Sequence, residues 1–177
     1  MTSTALAVLG LGLVVEAFVR MFFRMRVNIR AGNAFLVKQI DNLDRIVKLA
    51  AGFPGTYFEA VAAALAAGLA AGARDEVTIA AATHAAFDKA GAVVDLKWRT
   101  AAERGQLGAV LAIGALVLQL ALNERTGAVT TVFGLAVLGG IWHTFHKPDM
   151  AADLAAARTD VLPAIDRALA QRDNKVS

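Results

Sequence analysis

The sequence predicts an all-α integral membrane protein with about three transmembrane helices and long helices that extend into a cytoplasmic helical region. Hydrophobic residues make up 57% of the 177 residues, and the mean hydropathy is positive. The apolar residues cluster in long segments, and arginines gather at the end of the first segment. A soluble domain of this composition would leave more apolar surface exposed than it could bury, so a membrane protein is the expected class.

The first apolar segment, residues 4–23 (TALAVLGLGLVVEAFVRMFF), predicts a transmembrane helix. It has the roughly 20 residues that a helix needs to cross a hydrocarbon core of about 30 Å. Its positive charges follow the apolar core, whereas a secretory signal carries them before it, so we expect an anchor retained in the mature protein. Arg24, Arg26 and Arg30 place this end in the cytoplasm and the N-terminus outside.

Residues 24–104 are expected to form a cytoplasmic helical region. Within it, residues 57–73 are apolar but mostly alanine, and the larger side chains recur at helical spacing, which predicts a helix packed along one face. A fourth span is the alternative for this segment. The larger side chains are Phe58, Val61, Leu65 and Leu69.

A heptad pattern predicts one long helix from about Asp75 to Leu122, some 70 Å at about 1.5 Å per residue. No proline interrupts this stretch, and the register continues through Gly105 and Gly108 into the second membrane segment. His84 on this seam is expected to be a hydrogen-bonded packing residue rather than a metal ligand, because no second ligand lies one turn away. The seam residues are Val77, Ala80, His84, Phe87, Gly91, Val94, Trp98 and Ala101.

Residues 105–122 and 128–145 predict a transmembrane helical hairpin whose link, NERTG, is too short to hold a folded domain. Trp142 and the following histidines lie where the second helix of the hairpin leaves the membrane, as interfacial anchors do. After a break at Pro148, residues 149–172 predict an amphipathic cytoplasmic helix. Its apolar side is formed by Leu154, Val161, Ile165 and Leu169.

Three polar side chains within the membrane segments are ion-pathway candidates: Thr130, Thr131 and Glu16. In the structural interpretation, Thr126 caps a helix and the two later threonines bond back to carbonyls one turn earlier. Glu16 lies one turn before Arg20, and such a pair neutralises itself near the headgroups. In the functional interpretation, the threonines line a wet route and Glu16 relays an ion.

The order of these segments resembles the MotA, TolQ and ExbB family of inner-membrane motor and energiser proteins. The similarity begins in residues 20–69, where FRMRV, FLVKQI, DNLDRIVKLA and a proline before an alanine-rich helix are similar to the family's first cytoplasmic region. The AATHAAFD segment and the long helix into the second span are similar to the rest of that region. TTVFGL, residues 130–135, is similar to the family's GTVFGL motif, with Thr131 as the motif threonine.

The resemblance implies a subunit of a bacterial inner-membrane, ion-gradient-driven motor or energising proton channel, with its C-terminus in the cytoplasm. Such subunits form a homo-oligomeric shell, a pentamer, around helices of a single-span partner similar to ExbD, TolR or MotB, and the partner supplies the ion-carrying carboxylate. In a second alignment, residues 105–122 take the place of the motif span. Gln119 and Leu120 then stand where glycine and threonine are expected, and the hydroxyl is lost.

A non-conducting membrane scaffold that docks partners through its cytoplasmic helices is the alternative function. An enzyme is not expected, because no phosphate-binding glycine loop and no nucleophile with an accessible base is present in the sequence. No cofactor or metal is expected, since the two histidines of HTFH have no carboxylates nearby to complete a site. Nucleic acid is not an expected partner, because the basic residues lie beside an apolar segment rather than among aromatic residues.

Overall fold

The computed structural model of the chain describes residues 2–25, 28–71, 76–122, 127–145 and 150–176. Within these ranges the protein is all-helical and contains no strand, which confirms the all-α prediction. The helices are α1 (Thr2–Met25), α2 (Ile29–Lys38), α3 (Leu43–Gly52), α4 (Tyr57–Ala70), α5 (Glu76–Ala121), α6 (Gly127–Phe145), α7 (Met150–Asp160) and α8 (Leu162–Val176).

Asparagine side chains cap the starts of α2 and α3, and a glycine turn precedes α4. The Asn28 side chain accepts hydrogen bonds from two backbone N–H groups in the first turn of α2, and Asn42 accepts one from the backbone N–H of Arg45 in α3. These bonds satisfy amide groups that a helix start leaves without partners. Gly55, with φ 73°, adopts a left-handed conformation that a side chain disfavours, and it turns the chain into α4.

Helix α5 is one unbroken helix of 46 residues, which confirms the continuous helix predicted from about Asp75 to Leu122. The predicted seam is wrong in its first turns: Val77 is 77% exposed, whereas Ile79 and Thr83 are buried. The register shifts because Thr83 packs against Gly68 of α4, where a side chain on the glycine would collide with the threonine hydroxyl. From Phe87 onward the buried seam follows steps of four and three, through Gly91, Val94, Trp98, Ala101, Gly105, Gly108, Ala112, Ala115 and Gln119.

The chain divides into two compact units, and α5 contributes to both. The first unit comprises Met1–Phe22 and Trp98–Pro148, and the second comprises Phe23–Lys97 and Asp149–Ser177. The first unit therefore contains nearly all of the residues that the sequence assigns to the membrane. The second contains most of the predicted cytoplasmic region.

Small residues bring α1, α5 and α6 together in the first unit. A Cβ atom added to Gly10 would lie 2.6 Å from the Gly108 carbonyl oxygen, and one added to Gly108 would lie 2.5 Å from the Gly10 carbonyl oxygen. Only glycines allow the backbones to approach this closely, and this is the packing typical of helices in membranes. Two further contacts are the cluster of Val14, Ala112 and Ala136 and the cluster of Ala7 and Ala115.

Helix α4 packs against α3, α7 and α8 in the second unit. Phe58, Val61 and Leu65 are buried and Leu69 is half-buried, as the apolar spacing predicts. With 14 residues, α4 is shorter than the roughly 20 that a span requires. The described part of the segment, Tyr57–Ala70, is therefore best described as a packed helix.

The C-terminal region forms two helices rather than the single helix predicted for residues 149–172. Helix α7 ends at Asp160 and α8 begins at Leu162, beside Pro163. Proline has no N–H for a bond to the preceding turn, and its ring crowds that turn's carbonyl, so the helix breaks here. Val161 at the break and Ile165 and Leu169 of α8 remain buried, so the predicted apolar side persists across the break. The predicted break at Pro148 lies outside the described residues.

Two helices in the described part of the chain are long and apolar enough to cross a membrane, Thr2–Met21 of α1 and α5. The described apolar part of α6, Thr130–Trp142, is shorter. The outward surface of the first unit carries large hydrophobic side chains on all three helices. They are Val8, Leu9, Val15, Phe18, Val19, Leu107, Val110, Ile113, Val117, Leu120, Leu122, Leu135, Leu138 and Ile141.

Candidate ion pathway and charged cluster

The two candidate threonines lie near the start of α6, and both are exposed. The Thr131 hydroxyl donates a hydrogen bond to the Gly127 carbonyl oxygen at 3.1 Å, which is the bond to the preceding turn predicted in the structural interpretation. The hydroxyl oxygen still has lone pairs to accept a hydrogen bond. The geometry is therefore compatible with both interpretations of Thr131. The predicted cap Thr126 lies outside the described residues.

Thr131 shares an exposed face of α6 with two leucines. Leu135 and Leu138 follow it by four and seven residues and are also exposed. Ala136 and Gly140 are buried, and they lie on the side of α6 that packs within the first unit. The threonine hydroxyl is therefore on the outward side of the three-helix unit, at one end of an apolar stripe.

Glu16, the third candidate, accepts hydrogen bonds from two arginines. Its Oε1 atom lies 2.6 Å from Nη2 of Arg20 and 2.9 Å from Nη1 of Arg104. Arg20 is the partner one turn along α1 that the sequence predicts. Arg104 comes from α5, 88 residues away in sequence, and local spacing gave no signal for it. This geometry favours the structural interpretation of Glu16, as a carboxylate that ties two helices together.

Polar groups are also buried in the first unit, where Ser3 and Gln119 are 1% and 5% exposed. The antiparallel contacts of Gly10 with Gly108 and of Ala7 with Ala115 place both residues towards the end of the unit opposite Glu16. Gln119 lies on the buried seam of α5. Gln119 is therefore a packing residue of the first unit. In the sequence it drew attention only through the alternative alignment with the motif span, where it takes the place of the expected glycine.

An aromatic pair joins α1 to α6 at the same end of the first unit as the charged cluster. The ring centroids of Phe18 and Trp142 are 5.2 Å apart, with the rings tilted by 56°. Phe18 lies two residues before Arg20, so Trp142 lies near the arginine-bearing end of α1 in space, as expected of an interfacial anchor. The side chains of His143 and His146 lie outside the described residues.

In the second unit, His84 has the hydrogen-bonding role predicted for it. Its Nε2 atom lies 2.9 Å from Oδ2 of Asp166 on α8, and both side chains are partly buried. Asn33 of α2 similarly donates to Asp160 of α7 at 2.9 Å. Both partners are more than 80 residues away in sequence, so the sequence gave no sign of which carboxylate each would meet.

Among the described residues, no group of three or more histidine, aspartate or glutamate side chains could hold a metal ion. An open groove of about 310 Å³ between α5 and α7 is lined mainly by small and apolar residues, with an ion pair of Arg158 and Asp88 at 3.0 Å. None of the described residues that line this groove is a serine, cysteine or histidine that could act as a nucleophile or base.

No protein-family model, no curated protein and no solved structure matches this chain. The resemblance to MotA, TolQ and ExbB therefore stays a prediction from the sequence.

Proposed function

We propose that the chain is an integral membrane subunit of an ion-gradient-driven motor or energising complex in a bacterial inner membrane. In this proposal the first unit is embedded in the bilayer as one member of an oligomeric shell, a pentamer, around the membrane helices of a single-span partner. The observation that carries the proposal is the outward-facing hydroxyl of Thr131 on an otherwise apolar stripe of α6.

The surface of the first unit supports a location in the bilayer. Large hydrophobic side chains are exposed on all three of its helices, and water would hydrate this surface unfavourably. Arginines and a tryptophan lie together at the Glu16 end, as residues do where helices leave a membrane towards the cytoplasm.

The chemistry of Thr131 suits a role beside a partner's carboxylate. Its hydrogen is donated to the Gly127 carbonyl, so the oxygen lone pairs remain as acceptors for water or for a protonated acid. A ring of such hydroxyls would hold water against an apolar wall. A proton that crosses about 100 mV releases about 2.3 kcal/mol, which is the scale of work available to such a complex.

A second function, a non-conducting scaffold, is favoured by a different observation. Glu16 is held by two arginines, and Thr131 already has a partner for its hydrogen. A scaffold needs only the helix packing of the first unit and the docking surfaces of the second.

The test begins with the partner. A photo-crosslinking residue at Leu135, next to Thr131 on the exposed face, is used to trap neighbours in native membranes, and mass spectrometry identifies them. The chain and a trapped single-span protein are then reconstituted into liposomes, and proton entry is followed with a pH-sensitive dye. Thr131→Val keeps the side-chain shape and removes the hydroxyl. Thr159→Val is the matched control, because Thr159 of the second unit also bonds back to a carbonyl four residues earlier.

The motor proposal expects the wild type and Thr159→Val to conduct, and Thr131→Val to assemble normally and lose conduction. If Thr131→Val conducts like the wild type, the threonine is a packing group. If the wild type forms oligomers and conducts nothing with any trapped partner, the scaffold is the better description.

A further inference from the structure

We propose that the Arg20 and Arg104 pair of the first unit is a binding site for the headgroup of an anionic phospholipid. Both guanidinium groups bond the same oxygen of Glu16, at 2.6 and 2.9 Å, so the carboxylate holds two cations side by side. The cluster carries a net charge of +1, and both arginine side chains are about half exposed.

Each guanidinium still has donors for a phosphate. The bonds to Glu16 use Nη2 of Arg20 and Nη1 of Arg104, and a guanidinium has five N–H donors in a planar fork. Two adjacent forks suit a phosphodiester, which accepts paired hydrogen bonds from arginine. Glu16 then acts as a positioning residue, because it holds the guanidinium groups near one another before a lipid arrives.

The helix surfaces next to the cluster provide a path for an acyl chain. Leu9 and Gly12 lie seven and four residues before Glu16, on the same face of α1, and both are exposed. Nothing lies within 4 Å of the place where a Gly12 side chain would be, so the path is open there. Leu107, one turn after Arg104 on α5, is 52% exposed on the adjoining helix.

The continuity of charge and apolar surface identifies the occupant as a lipid. A free anion would use the arginines alone, whereas this site joins a cationic cluster to exposed apolar side chains at the end of a helix expected to be in the bilayer. Basic side chains at the cytoplasmic end of a membrane helix attract anionic lipids. The inference rests on the membrane location in the proposed function, but it does not require a partner or ion flow.

Lipid binding is measured by native mass spectrometry of the purified chain in detergent with equimolar phosphatidylglycerol and phosphatidylcholine. The wild type is expected to retain phosphatidylglycerol in preference to phosphatidylcholine. Replacing both arginines, Arg20→Gln with Arg104→Gln, should lower this preference by about 30-fold, given the attraction of each basic residue for anionic lipid. Arg158→Gln, which alters an exposed ion pair of the second unit, is the control and should leave the preference unchanged.

Two more variants keep the test decisive if the double variant loses its helix content in circular dichroism. Glu16→Gln keeps an oxygen that can accept a hydrogen bond from both arginines but removes the negative charge that opposes a phosphate, so it should increase phosphatidylglycerol retention. Gly12→Leu fills the acyl path and should reduce it while the arginines remain. Equal retention of the two lipids by the wild type would overturn the proposal. Displacement of phosphatidylglycerol by excess inorganic phosphate would also overturn it, because the site would then be an anion site rather than a lipid site.

Failure of this proposal is distinguishable from failure of the proposed function. If the chain retains phosphatidylglycerol and conducts nothing, the lipid site is supported and the motor function is rejected. If the chain conducts with its partner and shows no lipid preference, only the lipid site is rejected.

Discussion

The close approach of α1 and α5 at two glycines leads to a prediction for Gly108→Ala. The added Cβ would lie 2.5 Å from the Gly10 carbonyl oxygen, and ordinary van der Waals contact begins at 3.4 Å, so the backbones must separate by about 0.9 Å (3.4 minus 2.5). Neither group is the end of a flexible side chain, so the strain cannot relax locally. Overpacking of this kind costs about 1–3 kcal/mol.

Gly114→Ala is the matched control on the same helix. Nothing lies within 4 Å of its Cβ position, and alanine is favoured over glycine in a helix by about 0.8–1.0 kcal/mol. Both variants share this gain, so Gly108→Ala should be less stable than Gly114→Ala by about 1–3 kcal/mol. Gly10→Ala made together with Gly108→Ala should cost less than the sum of the two single variants, because the first substitution already separates the helices.

The assay is reversible unfolding in mixed micelles with increasing sodium dodecyl sulfate, followed by circular dichroism. Equal free energies of unfolding for Gly108→Ala and Gly114→Ala would contradict this prediction. They would mean that α1 and α5 are not in backbone contact at Gly10.

Other side chains of the second unit give further predictions. Burial, reinforced by the charge of Asp153, raises the pKa of the Tyr57 hydroxyl above its ordinary value of about 10. Above about pH 10, therefore, the unfolded chain releases the hydroxyl proton and the folded chain keeps it. Stability should therefore fall by about 1.4 kcal/mol for each further pH unit, and chemical denaturation should show a shallower fall in Tyr57→Phe. His84→Ala leaves a partly buried Asp166 carboxylate without its partner and should lower the free energy of unfolding by about 1–3 kcal/mol. An unchanged midpoint of chemical denaturation would show that the pair contributes nothing to stability. Pro163→Ala supplies a backbone N–H at the break between α7 and α8, and hydrogen exchange should show this N–H protected by a bond to the Thr159 carbonyl if the proline causes the break. Rapid exchange at this position would mean that packing alone sets the break.

Periodicity predicted the parts of the fold that depend on local sequence. The unbroken α5, the buried face of α4 and the seam from Phe87 onward all follow from apolar spacing, which one helix imposes on its own residues. The shift at Thr83 could not be predicted, because it depends on the absence of a side chain at Gly68 of another helix.

The candidate site was predictable in part for the same reason. Spacing along α1 predicted the Glu16 and Arg20 pair, but Arg104 reaches Glu16 from a helix 88 residues away. His84 was predicted to be hydrogen-bonded, and its partner Asp166 is 82 residues away. Contacts between residues so far apart in sequence depend on how the helices pack against one another, and the spacing of residues along one helix carries no signal for them.

The central claim, that the first unit lies in a bilayer, is tested most directly by two cysteine variants of α5. The chain has no cysteine of its own, so each introduced thiol is the only one to react. Ile113 of the first unit and Val93 of the second are 47% and 48% exposed, so in water their replacements would react alike. The vesicles are opened so that both membrane faces meet solvent, and they are treated with a water-soluble maleimide. A bilayer location of the first unit predicts that Val93→Cys is labelled and Ile113→Cys is not. Labelling of Val93→Cys should be as fast with detergent as without it, because that position is already in water. Equal labelling of the two positions in these opened vesicles, without detergent, would contradict a bilayer location, because it would show that water reaches the apolar surface of the first unit.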